Sequence, residues 1–96
     1  MTYTVCDIYL VSNNEVISLV CVGDINHISN MVANSGKFVN FFGCYEFYAV
    51  YHPDSKNTKI SYSIKRDISI RFDEISRISY KQYNDVVLVD KYASAS

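Results

Sequence analysis

The sequence predicts an α+β fold: one antiparallel sheet of about six strands, in the order β-β-α-β-β-β-short α-β, with one principal helix packed on one face. Three observations support this prediction. Apolar residues in the first 22 positions mirror one another about Asn13 and Asn14. The stretch after Gly23 has helical apolar spacing, and later segments are rich in strand-favouring Ile, Val, Tyr and Phe. We expect one domain over residues 1–92 and a frayed tail over residues 93–96.

Residues 4–22 are predicted to form a β-hairpin that turns at Asn13-Asn14, since Asn tolerates the backbone conformations of tight turns. Folding the chain there places Cys6 opposite Cys21. Side chains alternate between the two faces of a strand, so this cysteine layer occupies one face. The second face is also largely apolar, and it carries Val5, Asp7, Tyr9, Val11, Val16, Ser18, Val20 and Val22. A hairpin that is apolar on both faces must be covered on both.

A helix is predicted after Gly23. Asp24 or Asn26 can cap its start, and Gly36 is a natural stop. Its apolar residues recur at helical spacing at Ile25, Ile28, Met31 and Val32. Because this helix offers a single apolar stripe, we expect it to cover only one face of the sheet.

The second half of the chain is predicted to be mostly strands. Residues 44–51 form one strand, whose core-facing side this segment does not decide. A hairpin turning at Lys65-Arg66-Asp67 then pairs residues 60–64 with residues 68–72, with isoleucines on one face and serines on the other. Asp73-Glu74 begins a short helical or irregular segment, and residues 86–89 make the last strand. One sheet face is thereby left without an obvious cover from within the chain.

Composition and charge narrow the classes of function. The formal net charge is −1, so no global field attracts nucleic acid or an anionic membrane. Positions 1–36 hold no Lys or Arg, whereas positions 56–81 hold seven basic and three acidic residues. The sequence shows neither a basic leader nor an apolar run of the ~20 residues that a membrane span needs. We therefore predict a cytoplasmic protein without membrane contact, whose thiols stay reduced.

Motifs for chemistry are missing from the sequence. The three cysteines and two histidines (Cys6, Cys21, Cys44, His27 and His52) lack the spacing of a local metal chelate. No motif ties a base to a nucleophile, and with three glycines the chain has no glycine-rich phosphate loop. We predict a protein that is not an enzyme and that uses no metal and no cofactor.

The surplus of aromatic surface predicts a protein-interaction module. Nine tyrosines exceed what the interior of a 96-residue chain can hold, and Tyr is enriched at interfaces. The predicted function is stoichiometric inhibition of a larger protein, as in phage counter-defence, toxin-immunity or antitoxin proteins, and the contact is with that target, with a second copy of this chain, or with both. The candidate partner-binding residues are Val5, Asp7, Tyr9, Val11, Val16, Ser18, Val20 and Tyr48. Burial of this face by segment 38–42 and the last strand of the same chain is the competing interpretation.

The alternative function is that of a small nucleic-acid-binding regulator. Basic and hydroxyl groups of the predicted hairpin in region 56–81 could hold phosphates while tyrosines stack on bases. The candidate residues are Lys59, Lys65, Arg66, Arg71 and Arg77. An ordinary solvated sheet face, with basic residues that protect its edge, explains the same pattern.

Overall fold

A computed structural model describes residues 1–54 and 57–91, and it shows six strands and one α-helix in these ranges. The predicted tail at residues 93–96 lies outside the described residues. The elements are β1 (Tyr3–Leu10), β2 (Val16–Val22), α1 (Ile25–Ala33), β3 (Phe38–Asp54), β4 (Asn57–Arg71), a 3-10 turn (Phe72–Glu74), β5 (Ile75–Tyr83) and β6 (Val87–Asp90). The broad prediction of an α+β fold is therefore confirmed.

All six strands belong to one sheet, in the order β5-β1-β2-β3-β4-β6. Four of its five neighbouring pairs are antiparallel, but β4 and β6 are parallel, so the prediction of a purely antiparallel sheet is wrong. The parallel pair arises because β6 does not turn back beside β5; residues 84–86 instead carry the chain to β4, at the opposite end of the strand order. Such a short link requires the sheet to curl, and Val86 N donates a hydrogen bond to Met1 O (3.2 Å) where the two ends approach.

The predicted register of the first hairpin is wrong by two residues. Cys6 lies opposite Leu19, and Cys21 lies opposite Thr4. Instead of a two-residue turn at Asn13-Asn14, the chain makes a longer loop, because Val11 N still donates to the carbonyl that ends the 3-10 turn before β5 (2.8 Å). A shift of two residues keeps every side chain on its predicted face, so the two apolar faces are as expected.

The helix forms where the sequence predicts it. Asp24 is its N-cap, and the Asp24 carboxylate accepts a hydrogen bond from His27 N (2.8 Å). Ile28 and Val32 are buried against the sheet, and the helix ends at Asn34, its C-cap.

The predicted hairpin at Lys65-Arg66-Asp67 is wrong, because β4 continues through these residues as one 15-residue strand. Its partner β3 has 17 residues and pairs with it from end to end, with bulges along the ladder. At one bulge, Gly43 adopts a φ of +70°, and its N–H donates to the Asp67 carboxylate (2.6 Å). The residues that read as a turn are therefore part of a bulged ladder. The short helical segment predicted from Asp73-Glu74 is present as the 3-10 turn, but the residues that follow it form a strand, β5.

Two apolar cores lie on opposite faces of the sheet. The core under α1 contains Cys6, Ile8, Leu19, Cys21, Ile28, Val32, Val39, Phe41, Cys44 and Ile70. The core on the other face contains Tyr3, Val5, Val20, Ile60 and Val86. Because the sheet curls around this second core, the chain itself covers much of the face that the sequence left without a cover.

Candidate interaction surface

The residues predicted to bind a partner do not form one surface. Val5 and Val20 are only 6% and 0% exposed, because they pack in the second core against Ile60 and Val86. This corrects the prediction that their side chains contact another chain.

The two polar residues predicted for this contact, Asp7 and Ser18, already satisfy each other. They are cross-strand partners, and the Ser18 hydroxyl donates to the Asp7 carboxylate (2.6 Å). The polar contact expected from a partner is thus supplied within the hairpin itself.

The other candidates remain accessible to different degrees. Val11 and Val16 are 64% and 44% exposed near the loop between β1 and β2. Tyr9 is half-buried, and the Arg77 guanidinium lies 3.9 Å from the centroid of its ring. Tyr48, on β3, is 58% exposed beside Lys91, whose Nζ lies 4.6 Å from the ring centroid.

The basic residues predicted to bind nucleic acid are spread out, and two of the five form ion pairs. Lys59, Lys65, Arg66 and Arg71 all lie on β4, and the first and last are about 40 Å apart along an extended strand. Arg66 pairs with Glu46 (2.9 Å), and Arg71 pairs with Asp73 (3.0 Å). The fifth residue, Arg77, lies at the other end of the strand order on β5. Because the predicted hairpin does not form, the compact basic tip expected from it does not form either.

A different surface stands out: the outer edge of β5. This strand has nine residues and stands at one end of the strand order, where β1 pairs with only one of its sides. No strand within residues 1–54 and 57–91 pairs with the other side. A row of backbone N–H and C=O groups is therefore open along this edge.

Helix α1 runs beside β5 and leaves a groove between them. Near one end of β5, the Gln82 side chain accepts a hydrogen bond from Ile25 N (2.9 Å), which ties the start of the helix to the strand. Towards the other end, a cavity of about 290 Å³ opens between the two elements. Its lining is largely apolar and consists of Val32, Phe72, Ile75, Ser76, Arg77, Ile78 and Tyr80.

Two exposed phenylalanines extend this apolar surface around the 3-10 turn. Phe38 and Phe72 are 51% and 49% exposed, and both line a neighbouring cavity of about 590 Å³. The backbone bond from Phe72 N to Lys37 O (2.7 Å) holds the turn against the start of β3. Phe72 lines both cavities, so the two cavities adjoin at this residue.

Sequence reasoning missed this surface because it read residues 73 onward as a helical or irregular segment. The signal was present in residues 77–81, where Ile78 and Tyr80 alternate with Arg77, Ser79 and Lys81 as a half-buried strand requires. What the sequence could not show is that this strand lies at an edge.

The buried cysteines lie close together, but their surroundings keep the thiols of Cys21 and Cys44 protonated. The Sγ atoms of Cys21 and Cys44 lie 2.7 Å apart, and both thiols are free. The hydrogen bond with Cys21, together with burial, raises the pKa of the Cys44 thiol well above its ordinary value. The hydrogen bond with Cys44 lowers the pKa of Cys21, but the contact with Cys6 and burial outweigh it and raise that pKa overall. Thiols held in the protonated form are poor nucleophiles.

The part of the chain that the structure describes contains no group of three or more His, Cys, Asp or Glu side chains arranged to hold a metal ion. None of its helices has both the length and the apolar character to cross a membrane. No family model, curated protein or solved structure matches this chain.

Proposed function

We propose that this chain is a protein-interaction domain that binds an extended segment of a partner by adding it as a strand to the outer edge of β5. The observation that carries the proposal is the open nine-residue edge beside an apolar groove under α1. In such binding, main-chain hydrogen bonds supply affinity, and pockets for alternate side chains supply specificity.

The groove beside α1 distinguishes the β5 edge from the other end of the sheet. There, β6 has four residues and pairs with β4 only over residues 59–62, and the rest of β4 pairs only with β3 among the described residues. By comparison, β5 exceeds the average strand length of about 5–6 residues, and its neighbouring groove leaves apolar side chains accessible. An edge of this length beside such a groove is available to a partner strand.

The narrower function that we propose is stoichiometric inhibition of a larger protein. Strand addition needs no turnover and holds its partner one to one, so occupation of a functional strand or peptide of the target is sufficient to inhibit it. The basic residues of β4 are dispersed along the strand, and two of the four form ion pairs, so they give the nucleic-acid alternative less support.

A displayed library of random dodecapeptides, panned against the immobilised chain, tests the proposal. We expect enrichment of extended, proline-free peptides and, in the complex, slower hydrogen exchange at every second amide of β5. The alternation follows because successive residues of a strand direct their N–H groups to opposite sides.

A pair of matched variants locates the binding site. Ser76 is exposed and lines the groove, so Ser76→Trp should fill it and weaken peptide binding at least tenfold. Val87→Trp, at an exposed position on the opposite edge, should leave binding unchanged. Protection that maps to another strand, or equal binding by both variants, would show that the β5 edge is not the site.

A further inference from the structure

The two faces of β5 differ in chemistry along its open edge. Ile78 and Tyr80 lie opposite Ile8 and Cys6 of β1, on the face covered by α1. The basic residues of the strand, Arg77 and Lys81, lie opposite Tyr9 and Val5, on the other face. A strand added to β5 would therefore meet apolar side chains on one face and positive charges on the other.

Neither cation is neutralised by a carboxylate among the described residues. Arg77 lies over the Tyr9 ring, and Lys81 Nζ lies 5.5 Å from the Tyr83 ring centroid. The ion pairs found in the described ranges involve other basic residues. The acidic residue on the same face, Asp7, lies opposite Ser79 and accepts the hydrogen bond from Ser18. Both charges of β5 thus remain available to an added strand.

A second copy of this chain is a poor occupant of the edge. The antiparallel register that would pair the whole of β5 with its copy places Arg77 directly opposite Lys81, twice. In-register parallel pairing places each cation opposite itself. Like charges that lie directly opposite each other destabilise a pair of strands, whereas opposite charges stabilise it. The charge pattern therefore opposes self-association and favours carboxylates.

We propose that β5 selects an extended peptide segment in which acidic and apolar residues alternate, an inference that rests on the proposed function. Two acidic side chains, four positions apart in the segment, face Arg77 and Lys81. The apolar residues between them enter the groove beside Ile78 and Tyr80. Since both cations sit on one face, this spacing holds for parallel and antiparallel addition alike.

Three nine-residue fluorescent peptides test the selection by anisotropy: valine alternating with glutamate, with glutamine and with lysine. We expect the glutamate peptide to bind at least tenfold more tightly than the glutamine peptide, and the lysine peptide to bind most weakly. Added salt should narrow these differences, because exposed charges are screened.

Charge reversal provides the decisive variant. Arg77→Glu/Lys81→Glu should invert the preference, so that the lysine peptide binds best, and Lys81→Glu alone should reduce the preference if the double variant fails to fold. The matched control, Lys65→Glu/Arg66→Glu on β4, changes two exposed cations away from the edge and should keep the preference for glutamate.

The outcomes separate the two proposals. Equal binding of all three peptides leaves strand addition standing and overturns the charge selection. If neither these three peptides nor any peptide of the displayed library binds, strand addition itself is overturned. Arg77 and Lys81 then serve only to protect an edge.

Discussion

The paired thiols of Cys21 and Cys44 should make this domain lose stability above about pH 9. Both residues are almost fully buried, at 2% and 3% exposure, and the folded structure holds both pKa values above the ordinary value of 9.0. The unfolded chain loses these two protons near pH 9, whereas the folded chain keeps them. As the pH rises, deprotonation therefore stabilises the unfolded state, and the contribution of the thiols to stability is complete only below that pH.

The size of the effect follows from linkage. For each thiol, the free energy of unfolding falls by about 1.4 kcal/mol per pH unit once the unfolded thiol is ionised. Between pH 8 and pH 10, two thiols with an unfolded pKa of 9.0 together lower the free energy of unfolding by about 2.7 kcal/mol. For a small domain, whose total stability is about 5–15 kcal/mol, this is a large fraction.

Urea denaturation at pH 7, 8, 9 and 10 under reducing conditions measures this loss. The reference is Cys21→Ala/Cys44→Ala, which is less stable at every pH because it loses buried volume, but which should lack the thiol-dependent fall. The other ionisable groups are common to both proteins, so the difference between the two pH profiles reports the paired thiols. Parallel profiles from pH 8 to pH 10 would refute the reasoning.

Three further predictions concern the fold, each measured by urea denaturation. Phe41→Ala empties a fully buried site and should cost about 3–5 kcal/mol, whereas Phe42→Ala, at a position 65% exposed, should cost far less, and equal losses would contradict the assigned core. Gly43→Ala places a side chain at a φ of +70° and should lower the free energy of unfolding by about 1–2 kcal/mol. Gly36→Ala, whose added side chain meets nothing within 4 Å, should be nearly neutral, and a larger loss from Gly36→Ala than from Gly43→Ala would contradict the bulge. Asp24→Ala removes the helix cap and should cost about 0.5–2 kcal/mol, and an unchanged midpoint would show that the cap contributes nothing.

The features of the fold that the sequence alone determined are local ones. The alternation in β1 and β2 assigns Cys6 and Val5 to opposite faces, and both side chains are buried there in separate cores. The capping residue Asp24 and the spacing of Ile28 and Val32 determine the helix. These features depend on neighbours within a few residues, so one sequence is sufficient to recognise them.

Register, by contrast, needed the tertiary structure. A shift of two residues leaves the face pattern of the first hairpin unchanged, so alternation cannot distinguish Cys6 opposite Cys21 from Cys6 opposite Leu19. Here the loop is longer than a two-residue turn because Val11 N donates a hydrogen bond to the carbonyl of Glu74, a residue more than sixty positions away. No local signal reports such a bond.

The candidate site was decided by topology in the same way. Residues 65–67, predicted to form a turn, are extended because the Asp67 carboxylate accepts a hydrogen bond from Gly43 N of the neighbouring strand. The alternation within β5 is typical of a half-buried strand, although the sequence analysis did not assign one there. Its role as a binding edge arises because β6 pairs with β4 and leaves β5 unpaired on its outer side among the described residues. Residue chemistry and face come from local sequence, whereas which edge stays open depends on the order in which distant strands pair.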